Sequence, residues 1–127
     1  MSDFIVDVPP NEWMSANDRM HWADRSRRTK ALRRRAVLLA RSQRLLPVEC
    51  PVLVIARIQY RTGGRADPAN AEPTVKPILD GLTDAEIWPD DDSEHVVGPL
   101  YLREKGRTDR DGWHRVRLSF TNQYVPF

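Results

Sequence analysis

The chain has 127 residues, of which 20 are lysine or arginine and 18 are aspartate or glutamate, so its formal net charge is +2 at pH 7. This length predicts one domain with a single core, and the longest apolar run, 52–56, is far too short to cross a membrane. Cys50 is the only cysteine, which excludes an internal disulfide and a cysteine-based zinc site. The early acids do not fit a signal peptide, and we expect a cytoplasmic protein.

The charged residues are segregated along the chain. Residues 24–44 contain nine basic side chains against one acid, Asp24. Residues 67–94 contain nine acids against one base, Lys76; the acids are Asp67, Glu72, Asp80, Asp84, Glu86, Asp90, Asp91, Asp92 and Glu94. A separate basic block suggests a polyanionic partner, and the phosphate backbone of a nucleic acid is the usual one.

The chain begins with a predicted strand and a polar loop. Residues 4–8 alternate as a strand does and are followed by two prolines. The polar stretch 11–25 is interpreted as a loop that leads into the first helix. Within it, His21 has no second histidine or cysteine at ligand spacing. We interpret it either as a surface residue that contacts phosphate or as a residue packed beside Trp22.

A basic helix is predicted from about Ser26 to Gln43, with Asp24 or Ser26 as its N-cap. Its apolar residues recur on one face at helical spacing, and they are Leu32, Ala36, Leu39 and Ala40. Arginines occupy the other faces, which fits nucleic acid better than a membrane surface. The alternative is a solvated face that forms salt bridges with the acids downstream.

The next elements are a strand and a second helix. Val52–Tyr60 is rich in β-branched residues and predicts a central strand, followed by a flexible basic turn, 61–65. A helix is predicted from Thr74, as its N-cap, to about Thr83, with a buried stripe that consists of Val75, Leu79 and Leu82. The i, i+4 spacing allows Lys76 and Asp80 to pair.

Two further strands complete the predicted fold. Residues 96–102 predict a strand that contains a proline and therefore lies near a sheet edge. A charged connection, 104–112, precedes a clean alternation over 113–120. The order β-α-β-α-β-β predicts a small α/β (α+β) domain with a mixed sheet and two helices.

The acid-rich segment suggests a magnesium site. Three consecutive aspartates, Asp90 to Asp92, repel one another unless a cation or a basic partner neutralises them. Carboxylate oxygens are the ligands that Mg²⁺ prefers, and a nearby lysine can hold a phosphate. The alternative is that the run is a solvated acidic loop.

Residues 66–96 resemble the RusA-like Holliday junction resolvases of bacteria and phages. The resemblance is carried by Asp-x-x-Asn at 67–70, Lys-x-x-x-Asp-Gly-Leu at 76–82, Trp-Pro-Asp-Asp at 88–91 and the valine at 96. The stretch 17–22 with Thr29-Lys30 is more loosely similar to the N-terminal segment of that family. The resemblance implies a RusA-like fold and a homodimeric, Mg²⁺-dependent endonuclease that nicks four-way DNA junctions symmetrically.

The resemblance also implies roles for individual residues. The catalytic positions match Asp67, Lys76 and Asp91, while Asn70 and Asp80 match further positions of the motif. Two departures are visible: Ala69 stands where the family has a second aspartate, and three extra residues separate Asn70 from Lys76. We expect the metal ligands, for Mg²⁺ or Mn²⁺, to come from Asp67, Asp90, Asp91 and Asp92, with Glu72 replacing the missing carboxylate.

The expected partners are branched DNA and a second copy of the chain, without a membrane or a small-molecule cofactor beyond the metal. DNA contacts are expected through its backbone at Arg19, His21, Arg27, Arg28, Lys30, Arg34 and Arg65. Two other functions remain open: a non-catalytic DNA-binding protein, whose acids mimic DNA or bind the basic helix of a second subunit, and a metal-dependent nuclease for other branched or single-stranded DNA.

Overall fold

The predicted order of strands and helices is present in the computed structural model, which describes residues 3–122. The elements are β1 (Phe4–Val8), α1 (Trp22–Ser42), β2 (Val52–Tyr60), a short 3-10 helix (Pro68–Ala71), α2 (Glu72–Asp84), β3 (Val96–Arg107) and β4 (His114–Asn122). The bounds of β1 and β2 are those predicted, because their apolar alternation is limited by turn residues at both ends. The mixed α+β class is confirmed.

The four strands form one mixed sheet in the order β1-β4-β2-β3. β2 and β3 are parallel and are joined through α2, whereas β4 is antiparallel to both β1 and β2. β3 is an edge strand, as its proline predicted. Opposite Val54 it contains two residues and therefore one extra, since Leu53 pairs with Val97 but Ile55 pairs with Leu100.

One face of the sheet packs against the two helices. Alternate residues of β1, β2 and β4 are buried there, together with the predicted stripes of α1 and α2. The largest buried side chain is Trp88, in the segment after α2. On the opposite face, Leu100 and Leu102 of β3 remain 50% and 40% exposed. The helices therefore cover one side of the sheet only.

The predicted start of the first helix is wrong by four residues. α1 begins at Trp22, and its N-cap is His21, whose Nδ1 accepts a hydrogen bond from the Ala23 N–H at 3.1 Å. Asp24 lies inside the first turn, where its carboxylate pairs with Arg27 and Arg28. A histidine cap is uncommon, so the sequence pattern favoured the aspartate or the serine instead.

The predicted cap of the second helix is also wrong. α2 begins at Glu72, and Thr74 is fully buried. The Thr74 hydroxyl accepts a hydrogen bond from the Met14 N–H at 2.8 Å and donates one to the Met14 carbonyl at 2.7 Å. The threonine therefore holds the loop that precedes α1 against α2.

Three predicted bounds in the last part of the chain also differ, namely the end of β3 and both the start and the end of β4. β3 continues to Arg107, beyond the predicted end at 102, because residues as far as 107 still pair with β2. β4 covers His114–Asn122 and leaves Trp113 just outside the strand. There the ring of Trp113 stacks against the guanidinium of Arg110, with 3.4 Å between the guanidinium carbon and the ring centroid.

The two helices approach closely at Gly81. A Cβ atom at this position would lie 2.4 Å from the Arg33 carbonyl oxygen and 2.7 Å from the Ala36 Cβ. Only glycine fits this crossing point, although its helix propensity is poor. Over residues 3–122, no helix has the length and apolar character that a membrane span requires.

Candidate functional site

The centre of the candidate site is the ammonium group of Lys76. It donates hydrogen bonds to Asp80 Oδ1 at 2.9 Å and to Asp91 Oδ2 at 2.8 Å. Lys76 and Asp80 lie one turn apart on α2, as predicted, and Asp91 comes from the segment after this helix. The Lys76 side chain is 53% exposed, so the group is open to a ligand from solvent.

The charges of this group stabilise one another. The hydrogen bond from Lys76 lowers the pKa of Asp91, against the opposing effect of partial burial, and hydrogen bonds that involve Asp80 and Asp90 act in the same direction as Lys76. The hydrogen bonds to Asp91 and Asp80 in turn raise the pKa of Lys76. Lys76 and Asp91 therefore stabilise each other's charged forms.

The segment after α2 holds Asp91 in place. Ile87 and Trp88 are buried, and the Trp88 indole N–H donates to the Thr83 hydroxyl at 2.7 Å. The Ile87 N–H donates to the Leu82 carbonyl at the end of α2. Closer to the site, Asp90 Oδ1 accepts a hydrogen bond from the Asp91 N–H at 2.7 Å. The Asp91 carboxylate thus projects from a segment that is anchored on both the core and the helix.

The other predicted acids have different surroundings. The Asp67 carboxylate accepts a hydrogen bond from the Ala69 N–H at 3.1 Å and caps the 3-10 helix. Asp92 pairs with His95 at 2.6 Å, and this hydrogen bond lowers the pKa of Asp92. Within residues 3–122, no hydrogen bond or ion pair joins Asp67 to Lys76 or to its two partners. The direct partners of Asp67 and of Asp92 therefore differ from those of Asp91.

Glu72 lies exposed at the start of α2, one turn before Lys76. Burial and the negative charge of Glu72 raise the pKa of Tyr101 on β3 to about 12, against the opposing effect of Lys76. Glu72 and Lys76 therefore flank the same tyrosine. This location leaves Glu72 available as an additional oxygen donor beside the Lys76 group.

The chemistry of the Lys76 group fits a hard divalent cation. Mg²⁺ is held in many sites by one or two carboxylates with waters and substrate phosphate completing its shell. Asp80 and Asp91 are two such carboxylates at one point. Among residues 3–122, no group of three or more histidine, cysteine, aspartate or glutamate side chains is arranged to hold a metal ion. Asp80, which we assigned to the motif but not to the metal, shares the Lys76 ammonium with Asp91.

The basic helix presents an exposed cationic face. Arg27, Lys30 and Arg34 follow one another at helical spacing and are all exposed. Arg28 has a structural role instead, because its guanidinium donates to the carbonyl oxygens of Pro10 and Trp13 at 3.1 and 2.9 Å. Arg27, although exposed, also pairs with Asp24. The three exposed side chains therefore form a cationic face, whereas Arg28 anchors the preceding loop.

Arg33 links the basic helix to the acidic segment. Its guanidinium forms two hydrogen bonds with the Asp84 carboxylate, and the negative charges of Asp80 and Asp91 also act on it. These effects raise the pKa of Arg33. The alternative interpretation of the arginines, salt bridges to downstream acids, therefore holds at this position.

The sequence analysis did not identify an aromatic group that the structure forms apart from the Lys76 group. The ring of Trp13 stacks on His114 with 3.8 Å between centroids and 4° between planes, and Tyr60 packs edge-on against both rings. His114 is 5% exposed and occupies an inward-facing position of β4. A histidine in the same register as Val116 and Leu118 was the available signal.

An open groove adjoins this aromatic group. It consists of two cavities of about 480 and 280 Å³ that share Trp13, Asp18, Arg61 and His114 in their linings. We call it the aromatic groove. The larger cavity is also lined by the predicted residues Arg19, His21 and Arg28. The smaller is also lined by Arg65, Asp67 and Asn70, so the groove extends to the first acid of the acid-rich segment.

The chain matches no known protein family model and no curated protein. Its function is therefore inferred from its own residues and their arrangement. Three features are available for that inference: the Lys76 group, the exposed cationic face of α1 and the aromatic groove.

Proposed function

We propose that the protein is a Mg²⁺-dependent endonuclease of the cytoplasm that cleaves branched DNA, with four-way junctions as its substrate. The observation that supports this most directly is the Lys76 ammonium, hydrogen-bonded to Asp80 and Asp91 at a position open to solvent. Phosphodiester hydrolysis needs a charge-stabilised phosphate and an activated water, and this group has the residue types for both.

Lys76 is suited to bind the phosphate that is cut. An ammonium group has three N–H donors, and two of them are used by Asp80 and Asp91. The third is available for a phosphate oxygen, where the positive charge stabilises the negative charge that develops in the transition state. The two carboxylates fix the direction of the lysine side chain before the substrate arrives.

The acids are suited to hold the metal. Asp80 and Asp91 would contribute oxygen ligands, and Asp67, Asp90, Asp92 and Glu72 remain the further predicted donors. When bound, Mg²⁺ or Mn²⁺ supplies an activated water and neutralises charge on the phosphate. Without a cation, the same carboxylates repel DNA, so we expect DNA to bind this part of the surface more weakly in EDTA.

The exposed face of α1 is suited to bind the DNA backbone. Arg27, Lys30 and Arg34 lie exposed on one side of the helix, Arg27 in an ion pair with Asp24, and would contact phosphates of the DNA backbone. Such contacts position the DNA but do not read its sequence, and their affinity falls steeply with salt.

We further propose that the active form is a homodimer, since symmetric nicks in two strands need two sites. The uncovered face of the sheet supports this proposal. Leu100 and Leu102 are apolar and half exposed there. On the same face, the ion pairs of Arg115 with Asp7 and of Arg117 with Glu104 balance positive and negative charge. A balanced, partly apolar face suits a second copy of the chain better than it suits DNA.

A non-catalytic DNA-binding protein is the second candidate. It is favoured by Ala69, which provides no carboxylate where the resembled family has one. In that case the Lys76 group would be a structural ion pair, and the cationic face of α1 would account for the function alone.

The decisive experiment is cleavage of a labelled synthetic four-way junction by the purified protein in Mg²⁺, in Mn²⁺ and in EDTA, with linear duplex alongside. Asp91→Asn is the test variant. Asp109→Asn is the matched control, because Asp109 is 84% exposed in the turn between β3 and β4 and its ion pair, with Arg115 at 3.5 Å, lies outside the Lys76 group. We expect paired, metal-dependent nicks in the junction, reduced about 100-fold or more by Asp91→Asn and unchanged by Asp109→Asn.

The other outcomes assign the other functions. Tight junction binding without cleavage in either metal would identify a binding protein and refute the nuclease. Equal cleavage of the linear duplex would refute selectivity for junctions. Cleavage that survives Asp91→Asn undiminished would show that the Lys76 group is not the site of the chemistry.

A further inference from the structure

The aromatic groove has a rigid floor. The loop that carries Trp13 is held by three sets of contacts: the two hydrogen bonds between Met14 and Thr74, the hydrogen bonds from Arg28, and a bond from the Ala16 N–H to the Asn70 carbonyl at 2.8 Å. The floor is therefore fixed before any ligand binds. A preformed aromatic surface loses little conformational entropy on binding.

His114 contributes an unused polar atom to this floor. The Nδ1 atom has no hydrogen-bond partner although it is buried, and such atoms are uncommon in folded proteins. Burial, together with the positive charge of Arg61, lowers the pKa of His114 to about 4, so the ring is neutral at physiological pH. The histidine therefore adds aromatic surface to the groove without adding charge.

The rim of the groove is cationic. Arg19, Arg61 and Arg65 are exposed, and among residues 3–122 none of the three takes part in an ion pair. Three acids, Asp18, Asp24 and Asp67, also line the groove. Asp24 is paired with Arg27 and Arg28, and the carboxylates of the other two each accept a backbone hydrogen bond. Guanidinium groups above an aromatic floor match a ligand that combines a flat ring with an anionic group.

A nucleotide has this combination, but a base inside a duplex does not expose its flat face. Proteins that bind unpaired nucleotides stack the base on an aromatic side chain and hold the phosphate with arginine. The larger cavity, about 480 Å³, lies within the range of about 300–1,000 Å³ that is usual for small-ligand sites.

We propose that the aromatic groove binds one unpaired nucleotide of a DNA strand, with its base against the Trp13 and His114 group and its phosphate at Arg61. The proposal rests on the proposed function, because it supplies the feature by which the protein would distinguish a branch point, where bases can unpair, from continuous duplex. The groove ends at Asp67 and Asn70, so the bound nucleotide would lie next to the acid-rich segment.

The test compares three fluorescent duplexes in EDTA, where no metal-dependent cleavage takes place. One carries a single extrahelical nucleotide, the second carries an abasic spacer at the same position, and the third is fully paired. Binding is measured by fluorescence anisotropy. Since stacking of a base on an aromatic side chain is worth about 5- to 150-fold in affinity, the nucleotide bulge should bind tighter than the abasic bulge by a factor in this range.

Two variants assign the preference to the groove. Arg61 is exposed, so Arg61→Gln leaves the floor intact. This variant should lower the affinity for the bulged duplex more than the affinity for the paired duplex. Arg41→Gln, at the far end of α1, is the matched control and should leave the ratio of the two affinities unchanged. Trp13→Ala should abolish the preference for the base, provided that its circular dichroism matches the wild type.

A measurement on the wild-type protein does not depend on any variant. A 2-aminopurine placed at the bulge should lose fluorescence on binding, because stacking quenches it, whereas a paired 2-aminopurine should change little. Equal affinity for the nucleotide and abasic bulges, or an unquenched bulge, would refute the proposal. A preference that survives both Arg61→Gln and Trp13→Ala would place the base elsewhere and would also refute it.

A free mononucleotide has the same chemistry and is tested as a competitor. If a free deoxynucleoside monophosphate displaces the bulged duplex at equal concentration, the groove is a small-molecule site and the assignment to DNA is wrong. Failure of this proposal is distinguishable from failure of the nuclease. Junction cleavage without preference for the unpaired base would refute only the proposed nucleotide binding in the aromatic groove. Preference for the unpaired base without cleavage would refute only the proposed nuclease activity.

Discussion

Replacing Gly81 by alanine tests the helix crossing beside the candidate site. The added Cβ would lie 2.4 Å from the Arg33 carbonyl oxygen and 2.7 Å from the Ala36 Cβ. Carbon atoms in contact normally stand about 3.5–4.0 Å apart, so α2 has to move away from α1. The nearest atom belongs to the backbone and cannot rotate aside.

The expected cost follows from two opposing effects. Overpacking of a filled interface destabilises by about 1–3 kcal/mol, whereas alanine is favoured over glycine inside a helix by about 1 kcal/mol. With a backbone atom as the obstacle, we expect Gly81→Ala to lower the free energy of unfolding by about 1–2 kcal/mol. Because Asp80 precedes Gly81 on α2, the shift should also misplace Asp80 relative to Asp91 and reduce cleavage.

Urea unfolding, followed by circular dichroism, measures the change. Gly63→Ala is the matched control, since nothing lies within 4 Å of a Cβ at that position. This control should be neutral, or more stable by up to about 1 kcal/mol through its effect on the unfolded chain. A Gly81→Ala variant at least as stable as the wild type would refute the close helix contact and the reason given for glycine in this motif.

Three further predictions concern the site, the aromatic floor and the dimer. Lys76→Met should reduce single-turnover cleavage about 100-fold or more but change stability by less than about 1 kcal/mol in urea, because the ion pairs are half exposed; a large loss of stability would indicate a structural lysine. His114 has a folded pKa of about 4 against 6.5 ordinarily, so below pH 6.5 the unfolded chain binds a proton that the folded chain does not. The contribution of His114 to the free energy of unfolding should then fall with decreasing pH by about 1.4 kcal/mol per unit until about pH 4. His114→Phe should lack this contribution, and an equal loss of stability in the wild type and in His114→Phe between these pH values, measured by urea unfolding, would contradict the prediction. Leu100→Glu should convert the proposed dimer to a monomer in sedimentation velocity, while Leu38→Glu, at nearly equal exposure of 51%, should not; a dimer that survives Leu100→Glu would place the interface elsewhere.

The parts of the fold that were predicted correctly depend on neighbours close in sequence. The strand Val52–Tyr60 was predicted to the residue, because alternation with period two and flanking turn residues define it. The pair of Lys76 and Asp80 was predicted from helical spacing. The same local reasoning identified the edge position of β3 from its proline.

The predictions that failed depend on contacts between distant segments. Thr74 has the residue type of a helix cap, but its hydroxyl bonds to Met14, 60 residues away, and the helix begins earlier. Asp24 likewise was a better cap by type than His21, yet the histidine occupies the cap position. In both cases the tertiary packing of the loop before α1 determined which side chain was used.

By itself, the sequence determined the class of the fold, the segregation of charge and the one-turn pair on α2, because periodicity and spacing act through near neighbours. Only the tertiary structure decided that Asp91 joins this pair while Asp67 lies in a groove. Only it placed Trp13, Tyr60 and His114 in one stack. Such groupings arise when strands and loops far apart in sequence pack on one core, and no local pattern encodes which of them meet.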